Sequence, residues 1–226
     1  MKNNSLTQLG GTCSIFVGIS YIIIGITYAL DPSQRVATIQ EFWRSLANNS
    51  IPNVVLHWEL ALSGVFALAV IPAISSLVIS ANEGWVCWTS SLAYFGFGVS
   101  ALENFRSITL IPIWAKAYVN NDAAYQTAII ATSKLTSYDP DAWLTSGGVG
   151  LWILVVSLLA FRKSIFSKTL ALVGIAVAIL HWLVVIGTFF DLYFLVLFSA
   201  ILGGLILIPI WYISMGIILK RTTFSN

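Results

Sequence analysis

Six apolar stretches dominate this chain, at residues 12–30, 54–80, 85–111, 143–161, 169–190 and 192–219. Each is close to the roughly 20 residues a helix needs to cross a hydrocarbon core about 30 Å thick. Inside lipid every backbone N–H and C=O must be satisfied within the protein, and a helix does this within one segment. The expected fold is all-α: a single polytopic transmembrane domain over residues 1–226, with six transmembrane helices and two amphipathic helical outer loops. Of the 226 residues, 58% are hydrophobic and 9% charged, whereas a soluble domain carries about a quarter charged residues.

Orientation follows from the basic residues. With six spans, Lys2, the Arg162, Lys163 and Lys168 cluster, and Lys220-Arg221 fall on one face. Arg35, Arg44, Lys116 and Lys134 are spread over two longer loops on the other, balanced by acids. Both termini are therefore expected in the cytoplasm, with the chain in a bacterial inner membrane. The stretch after Lys2 is too long for a cleavable signal and lacks a small-residue cleavage site, so it is read as the first span. Cys13 and Cys87 lie near cytoplasmic span ends and read as reduced packing residues.

The long loops carry helical periodicity. Asp31-Pro32-Ser33 can begin a helix that places Ile39, Phe42, Trp43 and Leu46 on one face. Asn121-Asp122 can begin another, with Tyr125, Ile129, Thr132 and Leu135 along one stripe. Such segments lie on the membrane surface or fold over the outer mouth as a lid. Trp43, Trp58, Trp114 and Trp143 read as an aromatic belt at the outer boundary.

Within the spans, Gly11, Gly18 and Gly25 form a smooth stripe expected to meet another helix. Ser14, Tyr21 and Tyr28 form a second stripe, and Ser199 with Gly203 offers a similar surface in the last span. Gly96, Ser100, Glu103 and Ser107 share a face of the third span, and Gly174, Ala178, His181, Thr188 and Asp191 share one of the fifth. Pro72 and Pro209 are expected to kink their helices.

Ionisable groups in such surroundings are costly and point to a protein interior or a water-filled cavity. The group comprises His57, Glu59, Glu103, Arg106, His181 and Asp191, all towards the outer side in this topology. The proposed binding residues are Glu103, Arg106, His181 and His57, lining one outer polar cavity for a small molecule, a lipid headgroup or a proton. Glu103 with Arg106 reads equally as an intrahelical ion pair. A Glu103–His181 pair would allow proton transfer. Glu59 reads as an interfacial anchor and Asp191 as the cap of a tight turn.

No cofactor is expected. Haem held by His57 and His181 is the minor alternative, and a zinc site is weaker because no His-Glu-x-x-His is present. No nucleophile-elbow, P-loop or dinucleotide motif occurs, so no catalytic residue is assigned. The +2 net charge with scattered basic residues excludes a nucleic-acid partner. The lipid bilayer is the expected partner, with a second membrane protein or another copy of the chain as further candidates. Two rival readings stay open: an intramembrane enzyme or b-type haem protein, and a structural or assembly subunit. Leu110-Ile111-Pro112-Ile113-Trp114 and Leu207-Ile208-Pro209-Ile210-Trp211 also raise an inverted repeat of two three-span halves.

Gly10-Gly11, His57, Asp139-Pro140-Asp141-Ala142-Trp143, Gly147-Gly148-Val149-Gly150-Leu151-Trp152 and Arg162 together give the chain its likeness. It resembles a group of six-span bacterial membrane proteins of unknown function. That resemblance implies a fold but no activity.

Overall fold

The computed structural model describes residues 4–135 and 137–224, which are helical with no strand. Lys2 lies outside the described residues, as do the side chains of Lys134 and Leu135. The chain runs through α1 (Asn4–Leu30), a 3-10 turn (Pro32–Arg35), α2 (Ile39–Asn48), α3 (Ile51–Val78), α4 (Glu83–Asn120) and α5 (Ala123–Leu135). A π-helical segment (Trp143–Gly148) then leads into α6 (Val149–Lys163), followed by α7 (Lys168–Phe189) and α8 (Tyr193–Ser199). A second π-helical segment (Ala200–Leu207) joins α8 to α9 (Ile208–Phe224).

Five helical stretches are long and apolar enough to cross a membrane: Ser5–Leu30, Ile51–Ala81, Trp143–Lys163, Lys168–Phe189 and Tyr193–Arg221. They mark an integral membrane protein. The expected third span falls within α4, whose Ser90, Ser91, Ser100, Glu103, Asn104 and Arg106 set it apart from those five. The sequence reading ended that span at Ile111, yet α4 runs on through Pro112 for 38 residues in all, or about 57 Å at 1.5 Å per residue. Tertiary packing explains the extension: Trp43 and Leu46 of α2 and Ile129 of α5 are buried against Ala115 and Tyr118 of α4. Trp43, read as an interfacial residue, is 3% exposed in this small second core. Trp58 and Trp143 are exposed.

The helix ends follow local chemistry. Thr38, rather than Asp31, starts α2: Thr38 Oγ1 accepts from the Glu41 amide and Glu41 Oε2 accepts from the Thr38 amide, both at 3.2 Å. This capping box satisfies two donors that the first turn leaves orphaned. Asp31 instead begins the short 3-10 turn, accepting from the Ser33 amide at 2.9 Å. Asp191 does not cap α8 with its side chain, because the N-cap of α8 is Leu192. Asp191 takes a left-handed φ of 53°, while Leu192 N donates to Gly187 O at 2.7 Å and Asp191 N to Thr188 O at 3.4 Å. That is a Schellman ending of α7, and aspartate is among the few residues that enter the left-handed region readily.

Pro209 was expected to kink the last span. The helix just before it is π-helical over Ala200–Leu207. Proline supplies no N–H and its ring crowds the carbonyl four residues back; a wider turn relieves both.

The glycine stripe of α1 packs on α9. A Cβ on Gly11 would come 2.9 Å from Gly216 O, and one on Gly18 3.1 Å from Pro209 O. Ser14 Oγ donates to Tyr212 O at 2.6 Å, and Tyr21 stacks on Tyr212. In lipid, such backbone proximity supplies the attraction that the hydrophobic effect cannot. A buried polar chain ties three more helices: Trp152 Nε1 of α6 donates to Ser75 Oγ of α3 at 3.0 Å, and Ser75 Oγ lies 2.8 Å from Ser90 Oγ of α4.

α6 stands between α4 and α7. On the α4 side, Gly148 lies against Leu92; on the α7 side, Gly150 is close enough that a Cβ would come 2.8 Å from His181 Cβ. Gly96 of α4 meets Leu144 and Val149, and Gly174 of α7 meets Ser157, so both glycines face the α6 side.

Candidate functional site

The expected binding residues are divided between two cavities. The first, of about 280 Å³, is lined by His57 of α3, by Glu103, Asn104 and Arg106 of α4, and by α2 residues including Phe42 and Trp43. Three of the four expected binding residues therefore meet, and α2 covers them.

His57 is oriented by an amide that the sequence reading passed over. His57 Nδ1 lies 2.6 Å from Asn104 Oδ1, and Asn104 Nδ2 donates to Ser100 O at 2.7 Å. Because the Asn104 amide group is committed to Ser100, its oxygen faces the ring, and Nδ1 carries the hydrogen. In the neutral ring this leaves the lone pair on Nε2. Asn104 stands four residues from Ser100 on the polar stripe of α4, and counting amides with the ionisable groups would have found it.

Glu103 holds the chain segment that follows α5. Its carboxylate accepts from Ser137 Oγ at 2.9 Å and from the Tyr138 amide. Arg106 lies over the Tyr138 ring, 4.7 Å from its centroid, within the range of a cation–π interaction. Both charged side chains of this α4 turn thus meet one residue of the 137–142 loop.

Asp31 was read only as a helix start, but it is fully buried. Its Oδ1 accepts from Ser33, whereas Oδ2 has no partner among the described residues. Asp139 is a further residue the sequence reading left without a role. Its Oδ2 accepts from Leu144 N at 2.9 Å, Thr145 N at 2.7 Å and Thr145 Oγ1 at 2.8 Å. It fixes the start of the π segment ahead of α6.

His181 is the fourth expected residue, and it is elsewhere. It lines a separate cavity of about 650 Å³ between α1, α7 and the broken helix α8–α9. The Glu103–His181 pair is corrected accordingly, with α6 interposed between their helices as the physical reason. The same separation applies to haem: His57 and His181 face different cavities, so they do not offer two axial ligands to one iron. Glu59 lines neither cavity. Among the described residues, no three metal-ligating side chains gather at one point.

No family model, no curated protein and no solved structure matches the chain.

Proposed function

We propose that the protein crosses a bacterial inner membrane six times, with α4 as the third span and both termini in the cytoplasm. In this reading it binds a small polar molecule or lipid headgroup in the cavity lined by His57, Glu103 and Arg106. The observation that carries the reading is the convergence of these three side chains, from two helices, in one pocket beneath α2. A carboxylate and a guanidinium in one small cavity suit a zwitterion, which can meet both charges at once. A neutral imidazole with a defined lone pair adds a proton acceptor, the form in which proton binding enters the proposal.

Topology is tested by single cysteines at Gly84 and Asn121 with a membrane-impermeant maleimide. Six spans require labelling from opposite sides, and labelling from one side overturns the third crossing. Binding is tested in lipid nanodiscs with glycerophosphoethanolamine, using the fluorescence of Trp43 and Trp114. The expected result is a saturable change weakened about tenfold in Glu103→Gln, an amount corresponding to about 1.4 kcal/mol.

A structural role is the second reading, favoured by the bonds from Ser137 and Tyr138 to Glu103. It predicts no saturable change in the parent protein, with folding altered in the variants.

A further inference from the structure

The larger cavity has the character of a ligand site in its own right, independent of the reading of the polar one. Its volume of about 650 Å³ falls within the roughly 300–1,000 Å³ of ligand pockets. Its walls are mainly apolar, from residues such as Ile24, Val184, Leu197 and Leu205. At its mouth the hydroxyls of Tyr28 and Tyr193 lie 3.4 Å apart.

Two polar side chains on its wall are buried and unanswered. His181 is 9% exposed and Ser199 4%. Ser199 Oγ has no hydrogen-bond partner, and no hydrogen bond to the His181 imidazole is made among the described residues. Buried polar groups in proteins are paired in the great majority of cases, so unpaired ones on a cavity wall leave hydrogen-bonding capacity for an occupant. An occupant that brings a hydrogen-bonding atom to that depth, eight residues or about 12 Å below the Phe189 end of α7 at 1.5 Å per residue, would answer both.

Charge narrows the head group further. Among the described residues no aspartate or glutamate lines the cavity, so a cationic head would meet no counter-charge on its wall. The one cation on its wall, Arg35, donates to the Ala29 carbonyl at the end of α1, away from His181. An anionic head beside His181 would lack a fixed partner in the same way.

The backbone around the cavity is unusual in a third respect. Both π-helical segments border it, through Ser146 from the first and Ala200, Ile201, Gly204 and Leu205 from the second. π-turns are rare and concentrate at functional sites. A Cβ built on Gly204 meets nothing within 4 Å, so this glycine leaves space that another residue would fill.

We propose that this cavity binds a membrane-soluble molecule with a long apolar body and one neutral oxygen-bearing head, an alcohol or a ketone-type carbonyl, hydrogen-bonded by His181 and Ser199. A carbonyl accepts from both side chains through its two lone pairs. An alcohol accepts from one and donates to the other.

The full-length protein in lipid nanodiscs is irradiated with a dodecan-1-ol carrying a diazirine in its chain, and the adducts are mapped by mass spectrometry. A headless dodecane diazirine and a dodecylammonium diazirine serve as comparisons. The alcohol is expected to label α1, α8 and the second π segment at least tenfold more than either comparison probe. Gly204→Phe is expected to abolish that labelling, whereas Gly98→Phe, another position where a Cβ meets nothing, leaves it unchanged. Ser199→Ala and His181→Leu are expected to reduce the preference for the alcohol about tenfold; the smaller Ser199 change keeps the test valid if His181→Leu does not fold. Competition by 2-dodecanone assigns a carbonyl head, and competition by unlabelled dodecanol alone assigns a hydroxyl. Equal labelling by the headless probe, or full labelling of Gly204→Phe, overturns the proposal.

Discussion

His57 Nδ1 and Asn104 Oδ1 lie 2.6 Å apart, joining two helices that the chain connects only through a turn at the opposite end of the bundle. Asn104 is itself held by Ser100, so a backbone carbonyl of α4 sets the imidazole of α3. Interhelical hydrogen bonds in membrane proteins contribute about 0.6–2 kcal/mol. A double-mutant cycle with His57→Phe and Asn104→Leu, followed by unfolding in detergent, is expected to give a coupling of about 1 kcal/mol. Nitrogen NMR of the ring should show hydrogen on Nδ1 in the neutral form; hydrogen on Nε2 would reverse the assignment.

Glu103 anchors the 137–142 loop through the Tyr138 amide and Ser137 Oγ. Hydrogen bonds to a charged group contribute about 1.5–3 kcal/mol. Glu103→Leu should therefore speed hydrogen exchange at the Tyr138 amide by about tenfold or more. Glu103→Gln, which keeps one carbonyl acceptor, should lie between. Unaltered exchange in Glu103→Leu would mean the loop is held by other contacts.

The sequence carried the helices that lipid dictates and the surfaces that small residues make. Gly11 and Gly18 meet α9 as their seven-residue spacing implied, because backbone approach needs only the absence of side chains. It misplaced what depends on neighbours. α4 outruns Ile111 because α2 and α5 support it, and Trp43 is buried because α4 extends far enough to cover it. Neither fact is written in the local periodicity. Likewise His57, Glu103 and Arg106 come together through the direct packing of α3 on α4. His181 does not join them, because the register that puts α6 between α4 and α7 is a property of the whole bundle. Asp31 and Asn104 escaped notice since one looked like a helix start and the other carries no charge.

Asp139 accepts three hydrogen bonds at the entrance to the π segment. Removing a side-chain cap typically costs about 0.5–2 kcal/mol, and Asp139→Ala should reach the upper part of that range. Asp139→Asn, which keeps one acceptor oxygen, should lose less. Thermal unfolding of the two variants side by side gives the measurement; equal losses would show that the carboxylate's charge, and not its geometry, matters.

Glycine substitutions should separate by site. Gly18→Leu and Gly216→Val crowd the α1–α9 seam, where a Cβ on Gly216 would come 2.6 Å from Gly11 O. Overpacking of this kind costs about 1–3 kcal/mol, and both variants should unfold at lower temperature. Gly98 has open space around it, so Gly98→Ala should instead gain about 0.5–1 kcal/mol of helix stability. A loss at Gly98 or tolerance at Gly18 would contradict the packing.

The seam between α1 and α9 joins two helices separated in the chain by all of α2 to α8. When the ribosome has delivered α1, the partner for its glycine face has not yet been synthesised. α1 must wait in the bilayer with that face against lipid or an insertion factor until α9 is released. The seam closes only once α9 has emerged, and a chain truncated before residue 208 leaves the glycine face of α1 without its partner, open to quality-control proteases.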